Sequence, residues 1–229
     1  MKKDFDIYSS EIILRIKNKH CLVKERGNVM GIAERKKSDK EVMRKKILDS
    51  AMKLFLSEGY DKVSIRKIAD AIEYSPATVY LYFKDKTAIF NALQKVAFDK
   101  FYDTLAECLK IKDVKKRLDE MGELYMKFAM ENPEYYDLMF IMSAPIDREK
   151  ETCFTDDRAF NLLSGTIEEV FKKKGIKNID VEATAFLLWG FSHGLASLII
   201  RKRLATIPDE HLKGLFLKIS KMLDKKFFQ

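Results

Sequence analysis

SPATVYLYFKDK, residues 75–86, packs three aromatics into four residues between a serine-proline start and a basic close, and VSIRKIADAIEYS, residues 63–75, leads into it. Ser75 suits an N-cap, and Pro76 takes the first helical position, where its missing N–H costs nothing. Ser64 caps a helix predicted over 65–72 in the same way. Val63 with Ile68, and Tyr74 with Val79, are placed as hydrophobic staples that fix how the chain enters each helix. Two short helices separated by about three residues form a helix-turn-helix. Upstream, residues 38–58 predict the helix that backs the pair. Ser38 followed by Glu41 reads as a capping box, Met43, Ile47, Ala51, Leu54 and Phe55 recur at helical spacing, and Gly59 ends the run.

A recognition helix offers its N-terminal residues to base edges in the major groove, while its other flank is held by two partner helices. In so short a helix these duties fall on neighbouring side chains. Val79, Tyr80 and Phe83 are expected to anchor on Phe55, Ile65 and Ile68, leaving Pro76, Ala77, Thr78 and Leu81 facing outward. The hydroxyls of Thr78, Tyr80 and Tyr82 reach toward phosphates, and the capping serines Ser64 and Ser75 complete the set. Asp85 is a good N-cap for the next helix, which places Lys86 at a helix N-terminus, a favourable phosphate site.

Residues 46–93 resemble the tetracycline-repressor (TetR) family of bacterial transcriptional regulators. The succession Ile68-Ala69, Ser75, Thr78-Val79-Tyr80, Tyr82-Phe83, Lys86 follows that pattern almost position by position. One departure is Glu73, where the family commonly has glycine in the turn; if the backbone there takes positive φ, a glutamate costs about 1 kcal/mol. The resemblance implies an all-α protein: a three-helix DNA-binding head, expected over 36–87, and a larger helical dimerisation and ligand-sensing body over 88–229. Two stretches of the body are also similar to the family: Asn132-Pro133-Glu134-Tyr135-Tyr136-Asp137-Leu138-Met139-Phe140, and the Trp189…His193-Gly194 signature of one C-terminal subfamily.

Composition agrees with this reading. Hydrophobic residues make up 47% of the 229 residues, and 9 Gly with 4 Pro leave little material for a many-turned β fold. The net charge of +8 is uneven: residues 1–33 hold 7 basic and 4 acidic side chains, residues 34–90 hold 13 and 9, and residues 91–229 hold 23 and 22. A basic first third on a near-neutral body suits nucleic acid at one end. Cys21, Cys108 and Cys153 are odd in number and far apart, which argues against a disulfide framework or zinc site and points to a reducing cytosol.

In the body, helices are predicted from Asp85 to about Lys110 and over 113–131, 134–143, 156–174, 180–204 and 208–227, with breakers at Asn132-Pro133, Ala144-Pro145, Gly175 and Pro208. Phe98, Phe101, Tyr102, Met121, Tyr125, Phe128, Met139, Phe140 and Trp189, with His193 as a polar handle, suit an adaptable apolar pocket. No second His or Cys is spaced to make His193 a metal ligand. Residues 183–200 carry no formal charge. The two glycines, two serines, threonine and histidine in that run favour a helix shared between the core and a second subunit over a membrane span. Gly190, Gly194 and Ser197 would admit a partner helix closely, and Leu212, Phe216 and Ile219 of the last helix would complete a four-helix dimer interface.

Residues 1–35 fall outside the expected head. Lys24-Glu25-Arg26-Gly27 can be encoded by a nearly unbroken purine run ahead of Met30, an arrangement that resembles a ribosome-binding site and makes Met30 a candidate start; the alternative is a basic arm. The reading that emerges is a cytoplasmic homodimeric repressor that binds a palindromic double-stranded operator, needs no cofactor or metal, and is released by an apolar or amphipathic small molecule. The alternative is a regulator of the same fold controlled by a protein partner. An enzyme is disfavoured: Asp156-Asp157 and Glu168-Glu169 are adjacent pairs on different helix faces, and neither a nucleophile–base constellation nor a glycine-rich phosphate loop is present.

Overall fold

The computed structural model describes residues 32–142, 144, 157–204 and 206–227. The proposed Met30 start, Cys21 and Cys153 lie outside them. The described residues form helices joined by turns, with no strand among them: α1 (Ile32–Glu58), α2 (Ile65–Ala71), α3 (Pro76–Tyr80), α4 (Lys86–Ala106), α5 (Val114–Glu131), α6 (Pro133–Tyr136), α7 (Asp157–Lys174), α8 (Val181–Ile200) and α9 (Asp209–Phe227). A 3₁₀ turn, Glu107–Lys110, follows α4, and a π-helical turn, Asp137–Ile141, follows α6. The body helix predicted over 134–143 is thus a short α-helix that widens into a π turn.

α1 starts at Ile32, six residues before the capping box read at Ser38 and Glu41; both residues lie inside the helix, so the box is not its start. Contacts divide the chain after Met43, within α1, and residues 44–229 form one unit. There the helical spacing acts as predicted: Ile47, Ala51 and Phe55 have no exposed surface. The Phe55 ring stacks on Tyr60 at 5.6 Å and meets Phe90 edge-on at 5.5 Å. Gly59 closes the helix at φ +84°, a conformation that glycine adopts without steric cost.

Candidate functional site

The caps of the helix-turn-helix form as the sequence predicts. Lys67 N–H donates to Ser64 Oγ at 3.2 Å, Thr78 N–H to Ser75 Oγ at 3.2 Å, and Ala88 N–H to Asp85 Oδ1 at 2.6 Å. Val63, Ile65, Ile68, Ile72, Val79 and Phe83 are buried together with Phe55. The turn between α2 and α3 contains Glu73 at φ +61°, so this non-glycine residue does occupy the left-handed region.

Tyr80 requires a correction. It is 55% exposed and does not anchor α3; Val79 and Phe83 carry that packing alone. A five-residue helix turns only half of its residues toward its partners, and Tyr80 follows the fully buried Val79 onto the open side. Leu81 is 77% exposed, Ala77 is exposed, and Pro76, Thr78 and Tyr82 are half-buried. The outer side of α3 therefore carries Ala77, Tyr80 and Leu81, with Thr78 Oγ1 held 3.0 Å from Ser75 Oγ. Lys86 is turned partly inward: its ammonium donates to the Tyr60 carbonyl at 2.7 Å and sits 4.1 Å from the centre of the Tyr60 ring. An ammonium has three donors, so this bond leaves others for a phosphate.

Behind the head, α4, α5, α7, α8 and α9 line a half-open cavity of about 370 Å³. Six of the ten residues expected to bind a ligand line it: Phe98, Phe101, Met121, Tyr125, Phe140 and Trp189. The other four are placed differently. Phe128 is buried behind Phe101, ring centres 5.0 Å apart, and Met139 is buried in the same core. Tyr102 lies under the Arg158 guanidinium at 4.6 Å. His193 sits behind the wall, its ring 6.0 Å from that of Trp189. The lining also includes Phe160, Leu163, Phe191, Phe216 and Ser192, which the sequence reading left out of the pocket, and a charged stretch on α5 and α9.

A polar cluster backs the aromatic wall. Tyr136 Oη lies 2.7 Å from His193 Nδ1 and 3.1 Å from the His193 carbonyl; Tyr125 Oη lies 3.3 Å from both Tyr136 Oη and His193 Nδ1. Burial pushes the Tyr125 phenol up to about 12 and raises Tyr136 further, while burial lowers His193. All three groups are thereby held neutral near pH 7. The segment that carries Tyr136 also ties to α4, because Gln94 Nε2 donates to the Leu138 carbonyl at 3.0 Å. The Phe140 ring, within the π turn, packs edge-on against Phe98 at 5.7 Å.

The residues expected at a dimer interface divide. Leu212 and Phe216 are buried inside the protomer, where Phe216 stacks on Phe191 at 5.7 Å and 8°, so they serve the core and not an outer face. A strongly amphipathic last helix lays its apolar stripe on its own body first. Ile219 and Ser197 are half-buried and Gly190 is exposed. At Gly190 and Gly194 an added Cβ would meet nothing within 4 Å. Phe186, Leu187 and Leu198 on α8, with Leu217 and Met222 on α9, are exposed apolar side chains. α8 is long and apolar enough to cross a membrane by length and composition, and most of it is unburied within the protomer.

A capped helix-turn-helix ahead of a helical body with a half-open apolar cavity defines a class of DNA-binding regulators, not enzymes. Residues 47–93 match the family profile of bacterial regulatory proteins, tetR family, and residues 118–217 match the tetracyclin repressor-like C-terminal domain. The chain belongs to the TetR family of transcriptional regulators. It is 28% identical over 105 residues to the biofilm operon icaADBC HTH-type negative transcriptional regulator IcaR of Staphylococcus epidermidis, a match covering 45% of this chain and 55% of that protein. Its fold is similar to that of a TetR-family regulator from Syntrophomonas wolfei, with 27% identity, TM-score 0.65 and coverage of 80% of this chain and 95% of that one. It is also similar to transcriptional regulator FadR of Bacillus subtilis, solved in complex with stearoyl-CoA, with 20% identity, TM-score 0.64 and coverage of 78% and 96%.

Proposed function

We propose that this chain is a homodimeric repressor that grips a palindromic operator through α2 and α3 and lets go when an apolar or amphipathic molecule enters the body cavity. The observation that carries the reading is the aromatic-walled cavity of about 370 Å³ in the body, within the range that holds a small ligand. α4 starts at Asp85's cap beside the recognition helix and contributes Phe98, Phe101 and Leu105 to the cavity wall. A ligand that spreads the body helices would therefore tilt α4 and alter the spacing of the two heads. The fatty-chain ligand in the FadR structure supports an apolar occupant, and the exposed apolar residues of α8 and α9 support a second copy as the dimer partner. The domains follow as a head over 36–87 and a sensing and dimerising body over 88–229.

The ligand shifts the equilibrium only by its differential affinity, so a hundredfold preference for the released state corresponds to about 2.7 kcal/mol. The test is selection of bound fragments from sheared DNA by the full chain, followed by challenge with fatty acids, fatty esters, dyes and aromatic acids. The proposal expects a two-fold palindrome with half-sites roughly 34 Å apart, or a small multiple of that, and release by at least one compound. DNA that is selected but never released by any compound would favour control by a protein partner.

A further inference from the structure

We propose that the occupant of the cavity is an amphipathic cation; this rests on the ligand-sensing reading above. The walls are aromatic on several sides, with Phe98, Phe101, Tyr125, Phe140, Phe160 and Trp189 all lining the space. Aromatic faces attract cations through their quadrupoles. The charged part of the lining is confined to α5 and α9, where Asp119, Glu123 and Asp224 stand against Lys221. Lys115, just behind the rim, bridges the two helices with its ammonium 2.5 Å from both Asp119 and Asp224. Even with Lys115 counted, three carboxylates face two ammoniums, and the carboxylate of Glu123 enters no ion pair among the described residues. The rim therefore favours a positive head and repels a negative one.

Ser192 adds a polar contact point inside the cavity. Ser192 lines the cavity, is only 9% exposed, and its hydroxyl has no hydrogen-bond partner among the described residues. That hydroxyl is open to the cavity and not sealed from it, so it can bond a ligand carbonyl or hydroxyl that enters. The occupant is accordingly a chain or ring system with a cationic end and a polar group along its body.

Three probes of matched length separate charge from shape: decanoylcholine, its uncharged carbon isostere 3,3-dimethylbutyl decanoate, and the anion N-decanoylglycine. Each is titrated into the full chain below its micelle concentration while the emission of Trp189 is followed. One uncompensated charge at a half-exposed rim gives about a tenfold preference for the choline ester over the neutral ester, with the anion weakest. Glu123→Gln removes that charge, so it should reduce the preference about tenfold and leave the neutral ester's affinity alone. Ser192→Ala should weaken both esters by about the same factor and keep the preference. Equal or tighter binding of the neutral ester or the anion overturns the cationic assignment while leaving the sensor reading intact. If none of the three perturbs Trp189, the cationic assignment falls, while the sensor reading stands or falls on the compound panel used against the DNA complex.

Discussion

Replacing Glu73 by glycine should stabilise this protein, although it deletes a side chain. The residue sits at φ +61° in the turn between α2 and α3, where an L side chain brings its Cβ against the following carbonyl at a cost of about 1–2 kcal/mol. Glycine removes that clash but gives back about 0.4–1 kcal/mol through the greater freedom of its unfolded chain. Glu73 is exposed and its carboxylate forms no ion pair or hydrogen bond among the described residues, so little else is lost. The net gain is about 0.5–1 kcal/mol, or about 2 °C in Tm for a chain of this length. The assay is thermal unfolding by circular dichroism at one fixed protein concentration, since a dimer's Tm depends on concentration. Glu73→Ala is the control: it retains the Cβ and its strain and should gain nothing, with asparagine falling between the two. A glycine variant that melts with or below the alanine variant would refute the strain argument.

Other expectations follow from the same geometry. Burial holds the His193 pKa below its ordinary 6.5, so the folded protein keeps the ring neutral. That contribution to stability is complete above about pH 6.5 and is lost as pH falls toward the depressed folded value; His193→Gln should flatten the urea midpoint between pH 6.5 and 5. Tyr136→Phe strips a fully buried hydroxyl from His193 and should cost about 1–3 kcal/mol in urea unfolding. Lys86→Met loses the bond to the Tyr60 carbonyl and should cost about 1 kcal/mol, with any loss of DNA affinity read only after that is measured. Gly194→Leu places a side chain where the protomer has open space, so helical content should persist while sedimentation shows a weakened dimer.

Much of the head was legible because its signals are local. Ser64, Ser75, Pro76 and Asp85 each specify a helix start within three residues, and the structure uses all four. The start of α1 was not: a serine followed three residues on by glutamate looks the same at a cap and inside a longer helix, and here it lies inside. The aromatic wall could be guessed from the density of rings in α4 and α5. Which ring faces the space depends on tertiary packing, and so Phe128 and Phe216 were misplaced in opposite senses, one buried behind the wall and one lining it. Ser192 and the acidic rim could not be read at all, because they come together only when α5, α8 and α9 pack. Tyr136 stood in a quoted motif, yet nothing in its neighbours announced a partner 57 residues away.

The account stands most directly on one titration. Fluorescently labelled operator is bound to the full chain, and the compound that most strongly shifts Trp189 emission is added while DNA anisotropy and tryptophan emission are recorded in the same cuvette. If a molecule in the cavity controls the heads, both signals change with one midpoint, and Phe101→Ala or Phe140→Ala moves the two midpoints together. Tryptophan emission that saturates while the operator stays bound would contradict it.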